Sequence, residues 1–300
     1  MIQLSDEVAS ALASGRAVVA LESTILAHGL PRPDNLEVAR RIEAAVRDQG
    51  SVPATIAVLD GIVHVGLSPE LLEQVAFRDD VTKASIRDLP AVISGGRSAA
   101  TTVASTSHLA HLAGIRVFAT GGLGGVHREA SVTFDESADL LALAQIPIVV
   151  VCAGVKSILD VPATLERLET LSVPVVGFGT DRFPGFYLSD SGFAAPARVD
   201  TQQEIAAMAN MRNMLRLTQA IVVGYPLPAD EQLDPAMHDR VLAEALEAAR
   251  AQGISGKDAT PFILGHFHDH TAGESMRANV RLVLRNAELA ARIALAMHGA

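Results

Sequence analysis

The sequence has 300 residues, of which 49% are hydrophobic and 19% are charged, and its formal net charge at neutral pH is −10. This composition is typical of an ordered globular chain, and the acidic balance argues against a protein that binds nucleic acid or an anionic membrane surface. The single cysteine, Cys152, excludes an internal disulfide and favours a reducing, cytoplasmic compartment.

Short runs of aliphatic and β-branched residues recur along the chain and predict strands. Several of these runs are apolar on both faces, which is typical of parallel strands covered by helices on each side. The predicted strands are residues 17–21, 54–59, 115–120, 147–152, 173–178 and 220–225.

Segments with helical spacing lie between most of these strands. Residues 36–49 follow the capping-box pattern Asp34-x-x-Glu37 and stop before Gly50. Residues 276–297 carry one apolar stripe and follow Thr271-x-x-Glu274. The elements predict a three-layer α/β/α fold with a mostly parallel central sheet, as a single domain over residues 1–300. The longest apolar stretch is too short to cross a bilayer.

Ligands of such folds bind at the carboxyl ends of strands, so the residues that follow each strand are candidate site residues. Glu22 follows the first long strand, where burial would raise its pKa and suit it to general acid catalysis. It is alternatively a loop cap or a partner of Arg32. The glycine-rich residues 121–125 follow the strand that ends at Thr120. They offer an anion cradle or form a tight connection, and they match neither a dinucleotide-binding motif nor a P-loop.

Lysine is rare in this chain, since Lys83, Lys156 and Lys257 are the only lysines among 24 basic residues. Lys156 lies in a small-residue turn just after the strand at 147–152. Partial desolvation there would favour the neutral, nucleophilic amine. The alternative is a structural lysine that bonds carbonyls or a carboxylate near the turn.

Three further groups of residues invite a chemical interpretation. Asp135, Ser137 and Asp139 precede or begin a predicted helix, which suits hydroxyl recognition, a hard divalent cation or a helix cap. His266, His268 and His270 alternate in a predicted polar turn, and we interpret them as exposed loop histidines rather than a zinc site. Cys152 is predicted to be a buried small apolar residue.

Several motifs in the same order resemble the pseudouridine-5'-phosphate glycosidase family, also called the indigoidine synthase A family. The resemblance extends from about residue 16 to residue 290, although residues 180–201 follow the family poorly. The motifs that carry it are residues 20–29, 52–57, 83–90, 119–128, 133–140, 151–160, 173–177 and 256–262.

The resemblance implies a reversible reaction that joins or splits uracil and ribose 5-phosphate at a C–C glycosidic bond, in a homotrimer. It implies that Lys156 is the nucleophile, through a Schiff base, that Glu22 is the proton donor, and that Asp135 is a ligand to a divalent metal, usually Mn²⁺. The residues that it implies as substrate contacts are Lys83, Val103, Thr120, His127, Ser137, Ala138, Asp139 and Asn279.

Three other functions fit parts of the sequence. A Schiff-base aldolase and a sugar kinase of the ribokinase type are both α/β enzymes that handle phosphorylated sugars, but a kinase needs a nucleotide loop and none is evident. A non-catalytic sugar-phosphate-binding module would use Lys156 only as a phosphate contact. Such a module would bind substrate to saturation without forming product.

Overall fold

A computed structural model describes residues 2–254 and 259–298, so Lys257 lies outside the described residues. All six predicted strands are present, and their ends fall within two residues of the predicted ends. Five further strands, which the sequence pattern did not predict, complete the sheet. The strands are β1 (Ile2–Leu4), β2 (Val18–Leu21), β3 (Val52–Leu59), β4 (Ile62–Val65), β5 (Thr82–Ala84), β6 (Ala99–Thr101), β7 (Val117–Ala119), β8 (Val149–Cys152), β9 (Val175–Phe178), β10 (Arg198–Val199) and β11 (Ile221–Gly224).

The central sheet is mostly parallel, as predicted. Its main order is β1-β4-β3-β2-β7-β8-β11-β9-β10, and every pair from β3 to β10 along this order is parallel. The antiparallel pairs involve β3, which bonds to β4 and to β6. The register pairs Leu21 with Ala119 and Ala119 with Val151, so β2, β7 and β8 end at one level of the same sheet edge.

Helices flank this sheet, which confirms the predicted α/β fold. The longest helix, Glu274–His298, contacts β2, β7 and β8 and packs against the helices Asp34–Asp48 and Gln202–Met214. The helix Val103–Leu112, which follows β6, contacts β2 and β3. The helices are α1 (Asp6–Ala13), α2 (Asp34–Asp48), α3 (Pro69–Phe77), α4 (Leu89–Ser94), α5 (Val103–Leu112), α6 (Ala130–Thr133), α7 (Ala138–Gln145), α8 (Val161–Thr170), α9 (Gln202–Met214), α10 (Pro235–Ala251), α11 (Ala259–His270) and α12 (Glu274–His298).

The strands that carry the candidate site are buried over their whole length. β2, β3, β8 and β11 contain no exposed residue, because helices cover both of their faces. No helix in the part of the chain that the structure describes is both long enough and apolar enough to span a membrane.

Two local predictions were wrong. Asp34 is the first residue of α2 rather than its cap, since Pro33 occupies the cap position and no side chain caps the helix there. His266, His268 and His270 lie in α11 rather than in a polar turn. His266 and His268 are half-buried, and the rings of His266 and His270 stack with centroids 3.8 Å apart.

Candidate active site

Glu22 and Thr120 meet at the shared carboxyl edge of β2 and β7. Each residue directly follows its strand, and the parallel register brings them side by side. The Thr120 hydroxyl donates a short hydrogen bond to the Glu22 carboxyl group. The backbone N–H of Thr120 donates to the carbonyl of Val151 in β8 at 3.0 Å, which continues the ladder one residue past the strand. The sheet itself therefore brings together the two side chains.

Several groups act on the Glu22 carboxyl group. Its pKa is raised, chiefly because burial disfavours the charged form, and the negative charge of Asp139 acts in the same direction. Three groups oppose this shift, namely the Lys156 ammonium group, the Thr120 hydrogen bond and the Lys83 ammonium group. A carboxyl group with a raised pKa retains its proton to higher pH, which suits it to proton donation. The predicted direction of the shift is confirmed.

Lys156 lies in the turn after β8, where a second loop fixes the backbone. Its N–H donates to the carbonyl of Leu123 at 3.1 Å, and its side chain is half-buried. Gly154 begins this turn at a φ of +91°, which favours glycine, and an ideal Cβ there would lie 2.0 Å from the Pro184 carbonyl oxygen. The turn is therefore built on a close approach between two backbones, and it directs Lys156 toward Glu22, whose pKa the lysine charge lowers.

The glycine-rich segment serves close packing. A Cβ at Gly122 would lie 2.6 Å from the Phe186 ring, and a Cβ at Gly125 would lie 2.3 Å from the Thr164 hydroxyl. Two backbone N–H groups of the segment and that of the next residue bond within the protein, since Leu123 donates to Gly154, Gly124 to Asp139 and Val126 to Thr164, each at 2.9 Å. These three N–H groups are not available to an anion, which favours the tight-connection interpretation.

Asp139 joins this segment to the start of α5. Its side chain is buried, with one carboxylate oxygen accepting from the N–H of Ala104 at 3.0 Å and the other from the N–H of Gly124 at 2.9 Å. Ser137 caps α7 by accepting from the N–H of Asp139 at 3.2 Å, so the helix-cap interpretation applies to it. Val103, the first residue of α5, is also buried.

His127 and Asp135 form a partly exposed pair. The His127 Nδ1 and Asp135 Oδ2 atoms are 3.7 Å apart, and the backbone N–H of His127 donates to the backbone carbonyl of Asp135 at 3.0 Å. Burial lowers the pKa of His127 and Asp135 partly opposes that shift. The charge of Lys83 also acts on His127 and on Glu22, so this exposed lysine lies within electrostatic range of both residues. Among the described residues, no three His, Cys, Asp or Glu side chains gather in a way that could hold a metal ion.

Two asparagines on α12 approach the end of β7 from the helical layer. The predicted residue Asn279 is buried, and its side-chain oxygen would lie 3.6 Å from a Cβ at Gly121. Asn286, which the sequence reasoning missed, is fully buried and donates to the carbonyl of Thr120 at 2.8 Å. The sequence carried one signal for Asn286. It is a polar residue seven positions after Asn279, so both lie on the same face of the predicted helix.

Other candidates are explained by their surroundings. Arg32 pairs with Asp79 at 2.6 Å, so the alternative in which it pairs with Glu22 is wrong. Cys152 is fully buried and burial raises the pKa of its thiol to about 12, which confirms the prediction of a buried apolar residue. Ala138 is exposed as the first residue of α7, where only its neighbours Ser137 and Asp139 form the polar contacts described above.

Comparisons with known proteins agree on one family. A family model described as indigoidine synthase A like protein matches residues 7–296. A pseudouridine-5'-phosphate glycosidase of Salinispora tropica is 60% identical over 97% of this chain and 90% of its own length. A pseudouridine-5'-phosphate glycosidase of Saccharopolyspora erythraea is 56% identical over 99% of this chain and 98% of its own length.

Two solved structures share the fold over nearly the whole chain. A prealnumycin C-glycosynthase in complex with ribulose 5-phosphate has a TM-score of 0.92 and 36% identity, and it covers 100% of this chain and 97% of its own. An indigoidine synthase A-like protein from Thermotoga maritima has a TM-score of 0.90 and 36% identity, with coverage of 99% and 97%.

Proposed function

This chain belongs to the indigoidine synthase A-like family, and we propose that it is an enzyme that cleaves the C–C glycosidic bond of pseudouridine 5'-phosphate to give uracil and ribose 5-phosphate. The observation that carries this proposal is the meeting of an acid and an amine at one sheet edge. Glu22 has a raised pKa, accepts a hydrogen bond from Thr120 and lies within the electrostatic reach of Lys156.

The chemistry requires both groups, because the leaving atom of the base is carbon. In our proposal the neutral amine of Lys156 attacks sugar carbon 1, the bond from that carbon to the ring oxygen breaks, and the ring oxygen takes a proton from Glu22. The nitrogen, now bonded to sugar carbon 1, gives a proton back to Glu22, which then protonates carbon 5 of uracil. The nitrogen lone pair forms an iminium ion with sugar carbon 1 as the C–C bond breaks and its electron pair returns to uracil. Water hydrolyses the iminium ion to ribose 5-phosphate and free Lys156.

The same steps run backwards would join uracil to ribose 5-phosphate, so we propose that the reaction is reversible. The structural relative named as a C-glycosynthase, in complex with a five-carbon sugar phosphate, supports this direction of chemistry on the same fold. Equilibration from either side, followed by the absorbance of uracil, tests reversibility.

The substrate contacts are proposals that rest on residues around Glu22 and Lys156. Lys83 supplies a positive charge at the cleft for the phosphate or a hydroxyl, and Val103 offers its backbone at the start of α5. Ser137, Ala138 and Asp139 begin α7 beside the glycine-rich segment. Thr120, His127 and Asn279, described above, complete the proposed set.

Asp135 is the residue that we propose would hold a divalent metal. A hard cation such as Mn²⁺ or Mg²⁺ often keeps several waters and binds through one or two carboxylates, so one partly exposed carboxylate, 32% exposed in its side chain, fits such a site. A bound cation would supply positive charge near the anionic groups of the substrate. The protein residues alone carry the covalent and proton-transfer steps proposed here.

We also propose that the protein is a homotrimer. Leu141 on α7 is 56% exposed, and Met211, Met214 and Leu215 at the end of α9 are 52%, 76% and 62% exposed. The loop between α9 and β11 bonds to α7, because the N–H of Ala220 donates to the carbonyl of Leu143 at 2.7 Å. Exposed apolar side chains are typical of a surface that another copy of the chain covers. Sedimentation velocity tests this, since three 31.4 kDa chains are expected to move as one species.

Turnover of pseudouridine 5'-phosphate, followed by uracil release, tests the proposed function. Stoichiometric uracil release without added ATP supports it, and a requirement for ATP would favour a kinase. A protein that binds the substrate to saturation and releases no uracil would be a binding module. An aldolase would release a shorter aldehyde from the sugar, which mass spectrometry of the products would detect.

A further inference from the structure

Asn286 makes an unusual contact for a residue of a buried helical face. Its side-chain N–H group donates to the carbonyl of Thr120 at 2.8 Å and, at a longer 3.4 Å, to that of Gly121. Its side-chain oxygen is buried without a partner. An apolar side chain of similar shape would fill the same volume but would leave the buried Thr120 carbonyl without this donor. The amide at this position therefore serves a specific contact with the end of β7 rather than packing alone.

The contact falls on Thr120, the residue whose hydroxyl donates to Glu22. β7 ends at Ala119, so Thr120 lies beyond the regular ladder, and the structure holds it at two backbone atoms. Its N–H donates to Val151 at 3.0 Å, and its carbonyl accepts from Asn286. These two bonds hold the backbone of Thr120, from which its hydroxyl reaches and donates to Glu22.

We propose that Asn286 is a positioning residue, which acts through Thr120 to hold the Glu22 carboxyl group in the orientation from which it transfers a proton. The Thr120 hydroxyl donates to one carboxyl oxygen of Glu22, which leaves the other oxygen to carry the proton that is transferred. The proposal rests on the proposed function only in assigning proton transfer to Glu22.

Removal of the Asn286 amide has a predictable effect on the pKa of Glu22. The groups that face Glu22 are Lys156 after β8, Lys83 on β5, Asp139 on α7 and the Thr120 hydroxyl. The Thr120 hydrogen bond favours ionised Glu22, so its weakening raises the pKa of Glu22 further. The high-pH limb of kcat, which reports loss of the Glu22 proton, then moves to higher pH.

The decisive variants are Asn286→Leu, Thr120→Val and their combination, with Ser51→Ala as the matched control. The Ser51 hydroxyl, just before β3, donates to the carbonyl of Ala291 on the same helix at 3.0 Å, so its loss also removes one buried hydrogen bond to α12, away from Glu22. We expect Asn286→Leu to lower kcat roughly 10²-fold with little change in KM. In the Thr120→Val background the same change is expected to lower kcat less than threefold. Ser51→Ala is expected to retain kcat and the pH profile.

Glu22 can also be followed without turnover. Titration of ¹³C-labelled glutamate by NMR is expected to give a higher pKa for Glu22 in Asn286→Leu and in Thr120→Val than in the wild type or Ser51→Ala. This readout separates the positioning role from the proposed function, which fails only if the wild type releases no uracil. Two results would overturn the proposal. One is an unchanged Glu22 pKa in both variants, and the other is a fold-decrease in kcat of the double variant that equals the product of the decreases in the two single variants. Asn286→Ala replaces Asn286→Leu in each comparison if the leucine variant does not fold.

Discussion

Gly154→Ala probes the turn that carries Lys156. Gly154 has a φ of +91°, and an ideal Cβ there would lie 2.0 Å from the carbonyl oxygen of Pro184 and 2.9 Å from its carbonyl carbon. Since real Cβ atoms keep at least 3.0 Å from such atoms, one of the two backbones must move by about 1 Å. Both atoms belong to backbone, so rotation of a side chain does not relieve the clash.

The stability lost by Gly154→Ala has two contributions. The left-handed backbone conformation costs about 1–2 kcal/mol for a residue with a Cβ, and overpacking adds about 1–3 kcal/mol. We therefore expect a loss of about 2–5 kcal/mol in the free energy of unfolding, measured by urea denaturation. A displacement of about 1 Å at a catalytic group lowers the rate roughly 10²-fold, and we expect that loss in kcat for uracil release.

Gly50→Ala is the control for the backbone part. Gly50 has a similar φ of +88°, but nothing lies within 4 Å of an ideal Cβ there. It is expected to lose only about 1–2 kcal/mol of stability and to keep the wild-type kcat. If Gly154→Ala matches Gly50→Ala in both stability and kcat, the close approach to Pro184 does not hold the lysine turn in place, and this reasoning is refuted.

Three further predictions concern charge. Burial raises the pKa of Glu43 above its ordinary 4.5, so ionisation of this residue opposes folding. The free energy of unfolding of Glu43→Gln is therefore expected to exceed that of the wild type at about pH 8 and to equal it at about pH 4. A stability gain confined to pH 4 would contradict this. Asp135→Asn is expected to abolish Mn²⁺ binding in calorimetry, whereas binding at wild-type affinity would move the metal elsewhere. Lys83→Met is expected to raise KM about tenfold or more, and an unchanged KM would remove Lys83 from the substrate site.

The sequence predicted those parts of the site that local patterns encode. Glu22 and Thr120 could be identified because each ends a buried apolar run, and parallel strands bring such ends to one edge. The short strands β1, β5, β6 and β10 have two or three residues each, too few for a period to be recognised. The alternating histidines of α11 misled for a related reason, because a five-residue run does not distinguish a turn from the end of a helix.

Contacts between distant residues were beyond sequence reasoning. Asn286 and Thr120 are 166 positions apart, and only the packing of α12 across β7 brings the amide to the carbonyl. The glycine-rich segment remained ambiguous for the same reason. The N–H groups of Gly124 and Val126 bond to Asp139 and Thr164, which lie on two later helices. Only when these partners are known can an anion-binding loop be distinguished from a tight connection.

Reductive trapping tests the central claim most directly. Incubation with ribose 5-phosphate and borohydride is expected to reduce the iminium ion to a stable adduct, which peptide mass spectrometry would locate on Lys156. Lys156→Arg, which keeps the charge but cannot form an iminium ion, is expected to fold and to give no adduct. An unmodified Lys156 in the wild type, or an adduct that persists in Lys156→Arg, would contradict covalent catalysis by this lysine.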